Sequence, residues 1–194
     1  MSVATIAHSA WLESIGAAPA NQHFFPVRPY NLQLFPPAGA HILDVGAHTG
    51  ANLLHYARLG FACVGVEASP SCCHIFARAL AQLPRLQPRP EMVCSLIEDY
   101  APPALFGALL CGEMLCYSPH PTRVAEKLAA CMRPEGVALV SVPRDPQPEF
   151  PTHLTLEGLG VLLVNAGFRL HWGRILPGLG GSPVSAVRAF RERL

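Results

Sequence analysis

Charged side chains are scarce in this sequence. Asp, Glu, Lys and Arg make up 14% of its 194 residues, against about a quarter in an ordinary globular domain. The formal net charge is +1, so neither a strong basic field that would draw nucleic acid nor an acidic tail is present. A surface so low in charge reads in two ways: an apolar substrate mouth or subunit face, or a compositional bias toward Ala, Pro and Leu. No run reaches the roughly 18 apolar residues of a membrane span. Residues 1–16 lack the basic start and continuous apolar stretch of a secretory leader. The seven cysteines are odd in number and include no C-x-x-C pair, and several fall in apolar runs. That is the pattern of reduced, buried thiols rather than of a disulfide framework, and the expected compartment is the cytoplasm. The nine histidines are scattered without H-x-x-x-H or paired Cys/His spacing, so no metal site is expected. Cys72-Cys73-His74 is contiguous, and adjacent residues of a helix point to different faces, which makes a poor chelate.

What is present is an alternation of short apolar runs and amphipathic stretches. Ser2 to Ile15 carries apolar residues at near-helical spacing and reads as a short helix. Asn21 to Ala40, rich in Pro and aromatics, reads as a connector with a helical stretch at Tyr30–Leu34. Strands are expected at His41–Val45, Phe61–Val66, Met92–Ser95, Ala108–Cys111 and Val137–Val142. Helices are expected at Gly50–Leu59, Pro70–Leu83, Thr122–Met132 and Thr155–Ala166, the last stopped by Gly167 in a left-handed cap. Pro134-Glu135-Gly136 reads as a turn. Phe168–Leu176 and Val184–Arg191 read as two final strands. Strands joined by crossover helices imply a parallel sheet. The expected architecture is a Rossmann-like three-layer α/β/α sandwich in one domain, with a mostly parallel seven-stranded sheet and an antiparallel C-terminal strand. The N-terminal helix with Trp11, and the aromatics His23, Phe24, Phe25 and Tyr30, read either as a lid over a substrate or as packing on the outside of the domain.

The most informative stretch is Ile42-Leu43-Asp44-Val45-Gly46-Ala47-His48-Thr49-Gly50. A buried strand delivers an acid, then a glycine, and three residues later a second glycine where a helix begins. Gly46 permits a tight turn and the approach of a ligand. The helix start offers unpaired N–H groups that suit a carboxylate, and Asp44 places a negative charge beside them. A ligand bearing both an ammonium and a carboxylate matches this arrangement; the methionine half of S-adenosylmethionine is one. Glu67 closes the second strand 23 positions later, close to the roughly 20-residue spacing at which doubly wound folds place an acid on a ribose. The alternative for Glu67 is a solvated residue opening a loop. A nicotinamide dinucleotide site fits less well. His48 stands where the second glycine of G-x-G-x-x-G belongs, and Asp44 would repel a diphosphate.

These residues resemble those of the class I S-adenosylmethionine-dependent methyltransferases, in particular the small-molecule group that includes ubiquinone-biosynthesis O-methyltransferases. The resemblance runs from about Pro26 to Phe168. Leu43–Gly46 with Gly50 is similar to the first family motif and Gly65-Val66-Glu67 to the ribose motif. Ser95–Asp99 resembles the segment that lines adenine, and Leu110–Leu115 the segment after the fourth strand. Arg133–Gly136 resembles the turn before the fifth strand, and Asn165–Phe168 the segment that follows the last helix. The resemblance implies S-adenosylmethionine as cofactor, with Arg28, Asp44, Gly46, Ala47, His48, Gly50, Glu67, Ala68, Leu96, Ile97, Glu98, Cys111, Gly112 and Glu113 as cofactor-binding candidates. It departs from the family pattern at His48, at Leu96 where an acid is usual, and at Gly107 where an Asp usually opens the fourth strand. Glu113-Met114-Leu115-Cys116-Tyr117 lacks the second Glu and the His of a metal-assisting variant.

Methyl transfer is an in-line displacement, so positioning supplies much of the acceleration, and a general base helps an oxygen acceptor. The catalytic candidates are Glu113, Tyr117 and His153. Glu113 reads equally as a group that orients the cofactor, Tyr117 as a pocket wall, and His153 as an exposed neighbour of the last helix. The expected activity is methylation of a small molecule, at oxygen, with no nucleic-acid or membrane partner. The competing readings are a degenerate binding subunit, suggested by His48 and Gly107, and a methyltransferase acting on a protein or nucleic acid. Neutral net charge speaks against nucleic acid.

Overall fold

The computed structural model describes residues 29–148, 150–177 and 182–192. The expected helix Ser2–Ile15 and Arg28 lie outside them. A 3₁₀ segment, Pro29–Leu34, leads into β1 (Ile42–Val45), α1 (Ala51–Arg58), β2 (Cys63–Glu67), α2 (Pro70–Ala81), β3 (Glu91–Cys94), β4 (Phe106–Gly112), α3 (Pro121–Ala130), β5 (Met132–Pro143), α4 (Leu156–Asn165), β6 (Phe168–Pro177) and β7 (Pro183–Arg191). The seven strands form one sheet in the order β3-β2-β1-β4-β5-β7-β6. The first five pair in parallel, and β7 runs antiparallel to both of its neighbours.

β1 is buried at every position and β4 at all but its last residue, which is why these strands read as continuous apolar runs rather than alternating ones. Alternation still sorts their side chains between two faces. On one face Leu43, Val45, Leu109, Ala138 and Val140 pack with Val124 and Leu128 of α3 and Leu159 and Leu163 of α4. On the other, Ile42, Ala108, Leu110, Val137 and Leu139 pack with Leu53, Leu54 and Tyr56 of α1, Phe76 and Leu80 of α2, and Leu34. Ser69 caps α2 by accepting from Cys72 N, and Thr155 caps α4 by accepting from Gly158 N. Gly167 has φ +85°, the left-handed conformation expected after α4.

Element boundaries fall within two residues of the sequence reading except at the start of β5. The helix expected through Met132 ends at Ala130, because Met132 already pairs with Phe106 of β4. The Pro134–Gly136 turn therefore lies inside β5, as a bulge where the register shifts and Glu135 adopts φ +62°. The antiparallel C-terminal strand is β7. β7 inserts between β5 and β6, and β6 forms the edge.

Candidate active site

The strand order reverses between β1 and β4. From β1 the chain winds outward through β2 and β3, and it returns to β4 and β5 on the other side. Ligands in open α/β sheets bind in the crevice at the carboxyl ends of the strands at such a switch point. The motif residues of β1 and β2 gather there.

The turn after β1 is built by backbone bonds to β2. Gly46 N and Ala47 N donate to Val66 O at 2.9 and 3.2 Å. His48 N donates to Glu67 Oε2 at 2.8 Å, and Ser69 N donates to Glu67 Oε1 at 2.8 Å. Glu67 is 4% exposed and joins the glycine turn to the cap of α2 through both carboxylate oxygens. A carboxylate offers about four acceptor sites, and these bonds use two. Gly46 (φ +71°), His48 (φ +52°) and Gly50 (φ +81°) all take left-handed conformations. For His48 that costs about 1–2 kcal/mol, a strain that accompanies the hydrogen bond its backbone N–H donates to Glu67.

Each glycine has its own reason. A Cβ on Gly46 would come within 3.0 Å of Cβ and Cγ of Met114, so Met114 closes over the turn from the β4 side. A Cβ on Gly50 would run into the ring of Phe76, so Gly50 lets α2 pack against the start of α1. Gly50 caps α1 with no side-chain hydrogen bond, and the first turn of α1 holds no acid. Its N–H groups therefore present partial positive charge toward the crevice.

Asp44 is 2% exposed and points to the α1 face. Asn52 Nδ2 donates to Asp44 Oδ2 at 3.1 Å, Asn31 Nδ2 donates to Asn52 Oδ1 at 3.1 Å, and Tyr56 Oη donates to Asn31 O at 2.8 Å. This polar chain ties the motif acid to the 3₁₀ segment that precedes β1. Burial, with the charge of Asp44 nearby, raises the Tyr56 hydroxyl above its ordinary range. Asn52 and Asn31 went unnoticed in the sequence. Asn52 is the second residue of α1, two positions past Gly50, and a polar residue on an otherwise apolar helix face was the available signal.

The other candidates fall along the same end of the sheet. Ala68 follows Glu67 and is half-buried. Leu96 is half-buried, Ile97 is buried and Glu98 is exposed, in the short turn after β3. Ser95 N donates to Glu67 O at 3.0 Å, which fixes this turn beside the acid. The Cys111 side chain lies in the core with its thiol pushed far up by burial, so only its backbone faces the ligand level. Gly112 ends β4, and Glu113, at φ +57°, donates its N–H to Ser141 O at 2.8 Å. Unusual backbone thus recurs at the tips of both β1 and β4, as strained residues do at functional sites. Tyr117 meets Phe150 edge-on at 4.7 Å between centroids. Thr152 N donates to Cys116 O at 3.3 Å and Thr152 Oγ1 to Ser118 O at 2.7 Å. These contacts clamp the loop after β5 onto the segment after β4. His153, next to that clamp, is exposed. Ser141 was also missed; its hydroxyl is buried beside Gly112 with no hydrogen-bond partner among the described residues. Gly107 lies at the opposite end of β4, where the Arg133 guanidinium fills the space a side chain would need, 2.6 Å from a built Cβ.

The chemistry of these groups fits the cofactor that the motifs imply: two buried carboxylate acceptors, Asp44 and Glu67, flank a helix start that offers N–H donors.

A family model described as a methyltransferase domain matches residues 21–171, well over half of the chain. A curated relative, a ubiquinone biosynthesis O-methyltransferase from Xanthomonas axonopodis pv. citri (strain 306), is 29% identical over 133 residues; the match covers 68% of this chain and 55% of the relative. The chain thus spans about half the length of that protein. Among solved structures, the 1,6-didemethyltoxoflavin-N1-methyltransferase of Burkholderia thailandensis superposes with a TM-score of 0.72 at 20% identity, covering 96% of this chain and 84% of that one. The cyclase SpnF superposes with a TM-score of 0.74 at 17% identity, covering 96% and 93%. At these identities the structures establish the fold. With the family match over most of its length, the chain belongs to the Rossmann-like, S-adenosylmethionine-dependent methyltransferase-domain family.

Proposed function

We propose that this protein methylates a small-molecule acceptor, at oxygen, with S-adenosylmethionine as donor. The observation that carries the reading is the pair of buried acids, Asp44 and Glu67, at the carboxyl ends of adjacent strands, with the glycine turn and the uncapped start of α1 between them. When bound, the cofactor supplies a methyl group on a sulfonium. Asp44 takes the ammonium, the N–H groups of α1 take the carboxylate, and Glu67 accepts from the ribose hydroxyls. Ala47 and His48 form the turn beside the methionine end. The backbone of Leu96 and Ile97 borders the base, with Glu98 at its rim. Gly112 and Glu113 flank the reacting end, where Glu113 is placed to accept a proton from the acceptor or to orient the donor. Tyr117 and Phe150 wall the acceptor side, and the Thr152 clamp holds that wall against β4. The name of the curated relative supports oxygen as the attacked atom, while the N-methyltransferase among the structural neighbours keeps nitrogen as the competing outcome.

A non-catalytic binding role rested on His48 and Gly107. Gly107 lies at the far end of the sheet, filled by Arg133, and has no bearing on the crevice. The test is calorimetry with S-adenosylhomocysteine, followed by transfer of labelled methyl to panels of phenols, carboxylic acids and amines. Binding with label in phenols or acids supports the proposal. Label in amines alone moves the attacked atom to nitrogen, and binding without transfer across all panels favours the non-catalytic role.

A further inference from the structure

Two cysteines neighbour Glu67. Cys94, the last residue of β3, is the register partner of Glu67 and is exposed. Cys73, in the first turns of α2, is half-buried, and its thiol donates to Glu67 O at 3.6 Å. Alternation along β3 puts Cys94 on the same face as Met92, the face that α2 covers with Phe76 and Leu80, so both side chains lie on one side of the sheet beside Glu67. The other five cysteines are buried. Solvent access and a neighbouring resolving thiol are two of the features of a redox-sensitive cysteine.

We propose that Cys73 and Cys94 are a modification site: a peroxide converts them to a disulfide, and the bond weakens cofactor binding at Glu67. The chemistry balances within the pair and the peroxide. The Cys94 thiolate attacks the peroxide, forming S–O as O–O breaks, which leaves a sulfenic acid and releases water or an alcohol. The Cys73 sulfur then attacks the Cys94 sulfur. S–S forms, S–O breaks, and the departing hydroxide leaves as water with the Cys73 proton. Two electrons pass from the two thiols to the peroxide. Burial and the thiol of Cys94 push the Cys73 thiol up to about 12, which places the first oxidation on exposed Cys94.

The consequence follows from what α2 carries. A disulfide holds its sulfurs about 2.05 Å apart, so Cys73 must leave Glu67 O and draw the start of α2 toward β3. Ser69, the cap of that helix, supplies one of the two N–H bonds to the Glu67 carboxylate. The expected loss of affinity for S-adenosylhomocysteine is roughly fivefold, the effect of one disturbed hydrogen bond. This consequence rests on the proposed cofactor reading; the disulfide does not.

The experiment treats the full chain with hydrogen peroxide, blocks remaining thiols, maps peptides by mass spectrometry and measures S-adenosylhomocysteine binding by calorimetry before and after reduction with dithiothreitol. A Cys73–Cys94 linked peptide, absent from Cys94→Ser and Cys73→Ser, with weakened binding that dithiothreitol restores, supports the proposal. Over-oxidation of Cys94 without a linked peptide overturns it, and a linked peptide with unchanged affinity overturns the effect on binding. If the reduced wild type does not bind S-adenosylhomocysteine, the cofactor reading fails, while the peptide map still decides the disulfide.

Discussion

Replacing Glu67 by Gln separates the structural part of this residue from its ligand part. The carboxylate accepts from His48 N and Ser69 N, one bond on each oxygen, both at 2.8 Å. A glutamine can satisfy one of these with its amide oxygen, but its NH₂ then faces the other N–H, donor against donor. One hydrogen bond to a charged group is worth about 1.5–3 kcal/mol, and the remaining bond loses its charge assistance. The expected destabilisation is about 2–3 kcal/mol, or a Tm lowered by about 5–10 °C for a domain of this size. A surface substitution such as Glu126→Gln, on the exposed side of α3, should stay within about 0.5 kcal/mol. Affinity for S-adenosylhomocysteine should fall separately, by roughly thirtyfold if about 2 kcal/mol of diol binding is lost. Thermal unfolding and calorimetry on the same preparations read the two effects. An unchanged Tm would refute the hydrogen-bonded geometry of Glu67, and a lowered Tm with undiminished affinity would refute its place on the ribose.

Gly50→Ala should cost about 2–4 kcal/mol by denaturant unfolding, because it combines left-handed strain with a collision against Phe76. Gly39→Ala, at φ +69° with open space around it, should cost only the strain, about 1 kcal/mol; equal losses would show that the Phe76 contact is absent. Asn52→Leu leaves Asp44 and Asn31 each without the partner that Asn52 provides, and affinity for S-adenosylhomocysteine should drop about tenfold; a wild-type Kd would disconnect this chain from the site. His41, whose ring meets Phe106 at 4.7 Å, has its basicity lowered from the usual 6.5 by burial, partly offset by Glu91. A lowered folded-state value means that His41 favours folding in its neutral form, so this contribution holds above pH 6.5 and is lost as pH falls through the folded value. His41→Phe should flatten the decline in stability on that acid side, and parallel stability curves for the two proteins would exclude the effect.

The strand and helix alternation was legible because buried parallel strands are continuous apolar runs bounded by helix signals. The acids at the strand tips were legible because Asp44 and Glu67 interrupt such runs just before a turn. Other features depend on contacts far apart in sequence. Asn31 and Asn52 are 21 residues apart and become neighbours only when α1 folds back along β1. The paired state of Met132 is set by Phe106 on another strand, which overrides the local helical pattern. Met114 closes on Gly46 across the switch point, and nothing near either residue announces it. The position of β7 is likewise a matter of pairing: its apolar pattern identifies a strand, but not which neighbours it will have.

That position bears on how the molecule is made. Along its inner edge β5 pairs with β4, but its other edge stays open until Pro183–Arg191 arrives to fill it. During synthesis, the crevice half of the sheet can assemble while β5 still exposes unpaired backbone, and β6, emerging first, has to leave room for a later strand. A ribosome stalled between Asn165 and Pro183 would hold a chain with a sticky edge, the kind of intermediate for which aggregation and chaperone capture compete with folding.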